Sequence, residues 1–519
     1  MAIGTLAQLI RTHARERPEQ TALTLGDRRV SYRELDERAS RVANGLAAAG
    51  VRAQEHVALL DKNGLPYFEL LFGCAKLNAV DVAVNWRLAP PEVAAIVDDA
   101  RARVLVVGQE FVPVLEAIED RLATVEKILV VGGHPRHEDF DAWVARQSPV
   151  DPGGDGAPDD VALQLYSSGT TGLPKGIMIS NDSLFALMPL AAREWSIGPG
   201  SKTLVAMPLF HIGGGGWAIV GLVFGCECIV VRDVDPAAIA RLIASHRITH
   251  AFLVPAVLQF MLALPGVEKI DFASLRTIVY GASPISVQIL KQSIATFGCG
   301  FAQAYGLTET TGAIVTLPPS DHDPDGPNAH RLRSAGRANE GVELRIVKPD
   351  GSDAAVGEVG EIWVRSRQNM KGYWNRPDET RATIVEGGWL RTGDAGYLDA
   401  DGYLYIHDRV KDMIVSGGEN VYPAEIENVL MSHPAIADAA VIGVPSERWG
   451  ETPKALLVRK PGADATEADV IAFCRERLAR YKCPTSVDWV EALPRNPSGK
   501  ILKKDLRAPY WAGRARMVN

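Results

Sequence analysis

The chain has 519 residues, 47% of them apolar and 23% charged, with a formal net charge of −8. Its length calls for two or three cores rather than one, its composition excludes a disordered chain, and its negative balance gives no electrostatic reason for a nucleic-acid partner. Six scattered cysteines, Cys74, Cys226, Cys228, Cys299, Cys474 and Cys483, make no disulfide framework and fit a reduced, cytoplasmic setting. Cys226 and Cys228 form a C-x-C with no second pair nearby, so small buried hydrophobes are expected there rather than metal ligands.

Met1 to Ile10 lacks the basic flank, apolar core and cleavage site of a signal peptide. Ser31 with Glu34 predicts a capping box, after which Leu35, Ala39, Val42 and Leu46 repeat at helical spacing until Gly50 stops the helix. Val57–Leu60 reads as a buried strand and Phe68–Leu77 as a helix, with further strands at Val104–Val107 and Ile128–Val131. Beyond the Pro/Gly/Asp-rich loop from Asp151 to Asp160, strands are predicted at Val161–Tyr166, Leu204–Met207, Cys228–Val231, Ala251–Val254 and Thr277–Tyr280. Such alternation implies an α/β fold of doubly wound parallel sheets covered by helices on both faces. Ile212 to Val231 is almost uncharged, but four successive glycines, Gly213 to Gly216, and Glu227 oppose a membrane helix; a buried helix and strand are expected, with no transmembrane segment.

From Ser334 to His407 the strands shorten, as in Val342–Val347 and Glu361–Arg365, and turn residues punctuate them, which predicts a small β subdomain. After Lys411 follows a compact α+β piece whose clearest helix begins at Thr466, boxed with Asp469, and carries Val470, Phe473, Cys474 and Leu478 inward.

The strongest chemical signal is Tyr166-Ser-Ser-Gly-Thr-Thr-Gly-Leu-Pro-Lys-Gly176, directly after a predicted strand. Glycines let backbone N–H groups approach phosphate oxygens, the hydroxyls donate hydrogen bonds and the lysine adds charge. The spacing is not that of a Walker A loop, which argues against a phosphotransfer kinase. The segment resembles the phosphate loop of the adenylate-forming superfamily of acyl-CoA synthetases, peptide-synthetase adenylation domains and luciferases. Further segments carry the resemblance in order along nearly the whole chain: Met207-Pro-Leu-Phe-His211, Tyr280-Gly-Ala-Ser-Pro284, Gln303-Ala-Tyr-Gly-Leu-Thr-Glu309, Trp389-Leu-Arg-Thr-Gly-Asp394, Asp408-Arg-Val-Lys411, Ser416-Gly-Gly-Glu-Asn-Val-Tyr-Pro-Ala-Glu425 and Pro494-Arg-Asn-Pro-Ser-Gly-Lys500.

The resemblance implies a large N-terminal domain, residues 1–408, of two doubly wound sheets plus a small β-barrel-like subdomain, and a small mobile α+β C-terminal domain, residues 409–519, hinged at Lys411. It implies ATP, Mg²⁺ and coenzyme A as cofactors or co-substrates. Ser167, Ser168, Gly169, Thr170, Thr171, Gly172 and Lys175 would cradle phosphates. Tyr305 would stack on adenine beside Gly281, Ala282 and Ser283, with Gln303, Ala304 and Gly306 completing that wall. Asp394 would accept from the ribose hydroxyls, Arg409 would contact ribose or phosphate, Thr308 the α-phosphate, and Glu309 would hold Mg²⁺, as a hard carboxylate should. Lys500 would be the adenylation lysine, bridging two reacting anions. Gly418 would pass pantetheine close to backbone, Trp449 would line its tunnel, and His211 would position substrate. The tetraglycine reads as the wall or mouth of an acyl tunnel, with a tightly packed helix start as the alternative.

The expected reaction is therefore ATP-dependent ligation of a carboxylic acid to CoA through an acyl-adenylate. Tyr280-Gly-Ala-Ser-Pro284 and Asn85-Trp-Arg-Leu-Ala-Pro90 look most like bacterial fatty acid–CoA ligases, so a medium- to long-chain fatty acid is the first expectation. An aryl or steroid side-chain acid is the alternative, and a catalytically dead nucleotide-binding homologue is the rival from another class. Peripheral membrane contact and a homodimer stay open at this level.

Overall fold

The computed structural model describes residues 3–167, 174–409, 412–416, 419–446, 449–495 and 500–512. Of the residues expected to act, Ser168, Gly169, Thr170, Thr171, Gly172, Lys411 and Gly418 lie outside that set.

Among the described residues the fold is mixed α/β, with four sheets of nine, eight, five and five strands. The eight-stranded sheet shows why the sequence chose a buried parallel arrangement. In the strand Val104–Val107, Val104 and Val106 enter one apolar core while Leu105 and Val107 enter another. Both faces are therefore covered: the first by the helices Tyr32–Ala48 and Leu65–Leu77, the second by Pro90–Asp99 and Val112–Ile118. A run of four apolar β-formers with no polar face is what such a strand requires. The nine-stranded sheet has parallel strands at its centre and antiparallel pairs at its edges.

Local signals are mostly met. Ser31 Oγ accepts from Glu34 N at 3.1 Å, as a cap should, but the Glu34 carboxylate turns to Arg28 and leaves the box half made. The helix Ile212–Val223 followed by the strand Glu227–Val230 replaces any membrane span, and no described helix is long and apolar enough to cross a bilayer. The strand Val80–Ala83, which the apolar pattern did not reveal, carries Asp81 into the core. Cys226 and Cys228 are buried, and burial pushes the Cys228 thiol up to about 12.

The β subdomain is an antiparallel sheet in which Trp389–Leu398 pairs with both Gly360–Ser366 and Leu404–Arg409. From Ile414 onward the chain builds its own five-stranded sheet, with Ile414, Ile426, Leu430, Leu457, Val470 and Cys474 in its core. The helix Glu467–Arg475 has the full Thr466–Asp469 capping box. Phe473, expected inward, is half-buried between the His433 ring at 4.8 Å and the Arg477 guanidinium at 3.6 Å, and Leu478 falls beyond the helix end. The two parts meet where Gln259 Nε2 donates to Ala437 O at 3.0 Å.

Candidate active site

The strand Gly300–Leu307 starts in the core at Phe301 and Ala302 and emerges half-exposed from Gln303 to Glu309, so its C-terminal end opens a cleft. Open α/β sheets place ligands at such ends. Glycines let the strands approach there: a Cβ on Gly281 would sit 2.1 Å from Ala304 O, and one on Gly306 would sit 1.8 Å from Gly312 O. The next residue, Ala282, is left-handed with φ of 66°, a conformation that costs a side chain about 1 kcal/mol or more.

Across this cleft Tyr305 Oη donates to Asp394 Oδ2 at 2.8 Å. Asp394 is 7% exposed, its own N–H donates to Thr392 Oγ1 at 3.1 Å, and its strand partner in register is Arg409. One aromatic ring and one held carboxylate thus share an edge of the cleft, with Arg409 in backbone register beside the carboxylate's strand position.

A second cluster lies at the phosphate-loop end. Ser167 and Lys175 face each other in register on the antiparallel pair Val161–Ser167 and Lys175–Ser180, so both ends of the intervening loop are fixed together. Lys175 Nζ pairs with Glu379 Oε2 and lies 4.9 Å over the Tyr373 ring. Tyr373 Oη in turn donates to Glu309 Oε1 at 3.1 Å. Glu309 follows Thr308 in a short 3-10 turn, and its backbone O accepts from Met370 N at 2.8 Å.

Tyr373 and Glu379 were missed from sequence. The signal available was Gly372-Tyr-Trp-Asn-Arg-Pro-Asp-Glu379, aromatic residues leading into a Pro-started helix, and nothing in its periodicity points at Glu309 or Lys175. The same segment is anchored by Trp374 N donating to Gly176 O at 2.7 Å and Trp374 Nε1 donating to Asp99 O at 2.8 Å.

His211 caps the start of the helix Ile212–Val223, and burial drives its imidazole down to about 4, so it is neutral at pH 7. The tetraglycine divides into two pairs. A Cβ on Gly214 would meet Pro208 O at 2.1 Å, and one on Gly215 would meet Leu209 O and Tyr67 Oη at 2.7 Å, so these two are packing glycines. Gly213 and Gly216 are partly exposed and would meet only the side chains of Phe252 and Ile212, at 3.0 and 3.1 Å. Only Gly213 and Gly216 of the run therefore leave room for a side chain.

A groove of about 520 Å³ lies beside Met207 and Pro208, walled by Val254, Val257 and Phe260, with Arg87 and Arg495 on its rim. Lys500 is half-buried and immediately precedes Ile501, which bridges to Arg495, and Trp449 is 47% exposed.

The family model for AMP-binding enzyme matches residues 10–374, and that for the AMP-binding enzyme C-terminal domain matches residues 425–500. The chain belongs to the AMP-binding enzyme family. This AMP-binding enzyme is 42% identical over 524 residues to the fatty acid–[acyl-carrier-protein] ligase ScoC of Streptomyces coeruleorubidus, covering 100% of this chain and 98% of that protein. It is 37% identical over 491 residues to the long-chain-fatty-acid–CoA ligase FadD13 of Mycobacterium tuberculosis, covering 94% of each. The crystal structure of the anthranilate CoA ligase AuaEII in complex with anthranoyl-AMP superposes with a TM-score of 0.90 at 31% identity, covering 98% of this chain and 97% of that one. Family membership, both sheets and the small C-terminal part thus agree with the expectation from sequence.

Proposed function

We propose that this enzyme joins a carboxylic acid to a thiol at the expense of ATP, by way of an acyl-adenylate. The observation that carries the reading is the Tyr305–Asp394 hydrogen bond with Arg409 in register, together with the Lys175–Tyr373–Glu309 cluster. The first suits an adenosine, with a ring to stack on and a carboxylate to accept from two hydroxyls; the second suits a polyphosphate.

In the first half-reaction a substrate carboxylate oxygen attacks the α-phosphorus of ATP and pyrophosphate leaves. Charge gathers on the phosphoryl oxygens, and preorganised donors lower the barrier. Lys500 supplies the cation between the two anions, Thr308 donates to the α-phosphate, and Ser167 to Lys175 hold the outgoing phosphates. The carboxylate of Glu309 fits a hard cation, since Tyr373 orients it and it lies half-exposed at the cleft; Mg²⁺ bound there would neutralise phosphate oxygens. In the second half-reaction the thiol sulfur attacks the acyl carbonyl and AMP leaves. His211, being neutral, would position the substrate without adding a charge. We assign residues 1–408 to the substrate-binding domain and 409–519 to a rotating one pivoting at Lys411, which would exchange Lys500 for Gly418 and Trp449 between the steps.

Coenzyme A is the thiol of first choice, with a medium- to long-chain fatty acid as substrate. A carrier-protein phosphopantetheine is the second reading, favoured by the 42% identity to the carrier-protein ligase across the whole chain. Acid-dependent AMP release, measured over a panel of acids with CoA or a holo carrier protein as acceptor, tests both. Release with neither acceptor and no acid, or ADP in place of AMP, would overturn the reading.

A further inference from the structure

The cation that the proposed function assigns to the triphosphate is already engaged. Lys175 Nζ pairs with Glu379 Oε2, the two side chains being 17% and 35% exposed. Glu379 Oε1 also lies 3.8 Å from Arg376 Nε, one turn away on the same helix start. Arg376 is itself held by Asp99, whose Oδ1 accepts from its NH2 at 2.9 Å. Asp99 Oδ2 accepts from Tyr166 Oη at 2.8 Å, and Tyr166 Oη accepts from Gln164 Nε2 at 2.9 Å. Arg376 is thus a fixed cation, and Glu379 stands between it and the lysine at the phosphate-loop end.

A carboxylate and a polyphosphate cannot both sit against one ammonium without repelling each other. We infer that Glu379 is an internal stand-in for the polyphosphate: it neutralises Lys175 when no nucleotide is bound, and swings to Arg376 when phosphate oxygens arrive. The arrangement lowers the affinity for ATP and for the departing pyrophosphate alike, so Glu379 is a positioning residue that speeds exchange at the loop. Tyr373 keeps the lysine in place in both states, because its ring lies under Nζ whichever anion faces it.

This rests on Lys175 being a phosphate ligand, and the test separates the two claims. Glu379→Gln removes the charge and keeps the shape at a half-exposed position. We expect its KM for ATP and its inhibition constant for pyrophosphate to fall together by about two- to fivefold, the range a partly exposed ion pair spans. The gap from wild type should shrink as ionic strength rises, since screening weakens the competing pair. In a Lys175→Ala background the Glu379→Gln effect should vanish. If Lys175→Ala raises the KM for ATP while Glu379→Gln leaves it unchanged or raises it, the inference is overturned and the phosphate role of Lys175 stands. If Lys175→Ala leaves both constants unchanged, both ideas fail.

Discussion

Tyr305 Oη and Asp394 Oδ2, 89 positions apart in the chain, share a 2.8 Å hydrogen bond that ties the mouth of the nine-stranded sheet to the β subdomain. In the proposed reaction this bond would preset the carboxylate for ribose. Tyr305→Phe keeps the ring and loses this anchor, so the KM for ATP should rise about three- to tenfold, the net effect of one ordinary hydrogen bond. Asp394→Ala should raise it by more than about tenfold. It should also erase discrimination between ATP and 2′-deoxy-ATP; if the preference survives, Asp394 does not read the ribose.

Lys500→Ala should cut acid-dependent pyrophosphate release about 100-fold or more, the usual cost of a missing transition-state contact. Thioester formation from a supplied acyl-adenylate should persist within a few-fold of wild type, because in the proposed mechanism the lysine acts at the α-phosphate alone. A variant that loses both half-reactions equally would place Lys500 in the fold rather than in the chemistry.

The glycines before Trp217 should separate by role. Gly214→Ala forces a Cβ to within 2.1 Å of a backbone carbonyl and should lower stability by about 1–3 kcal/mol, read as a depressed melting temperature. Gly216→Leu meets only the flexible end of Ile212 and should fold, while losing long-chain acids before short ones. Equal loss across chain lengths would mean that Gly216 faces no acyl group.

Asp81 is 1% exposed, neither carboxylate oxygen has a hydrogen-bond partner among the described residues, and burial lifts its pKa to about 8. In an unfolded chain it titrates near 4. Between about pH 4 and 8 the folded protein keeps a proton that the unfolded chain releases, so this residue makes stability fall as pH rises through that window and level off above it. Asp81→Val should melt higher than wild type at pH 7, with the difference closing towards pH 4. A difference that grows on acidification would contradict the assignment.

The sequence alone determined the alternation of strands and helices, the sheet class, the order of the motifs and the family they belong to. Periodicity gives the elements and the sheet class because it records which face of an element is buried, as Val104 to Val107 illustrate with apolar residues on both faces, while the family came from the resemblance of the motifs. Periodicity does not record which surface that face meets. The contacts of Tyr373 with Glu309 and of Glu379 with Lys175 join segments 64 and 204 positions apart, brought together by the pairing of Tyr373 with Ile177 at the edge of the eight-stranded sheet. The same holds for the tetraglycine, where only the position of the Pro208 and Leu209 carbonyls separates packing glycines from those with room for a side chain. It holds again for Asp81, an acid in a strand that local propensity disfavours and that burial between sheet and helix imposes. Tertiary structure decided these points, because a side chain's charge and freedom are set by what lies against it, and those neighbours come from distant parts of the chain.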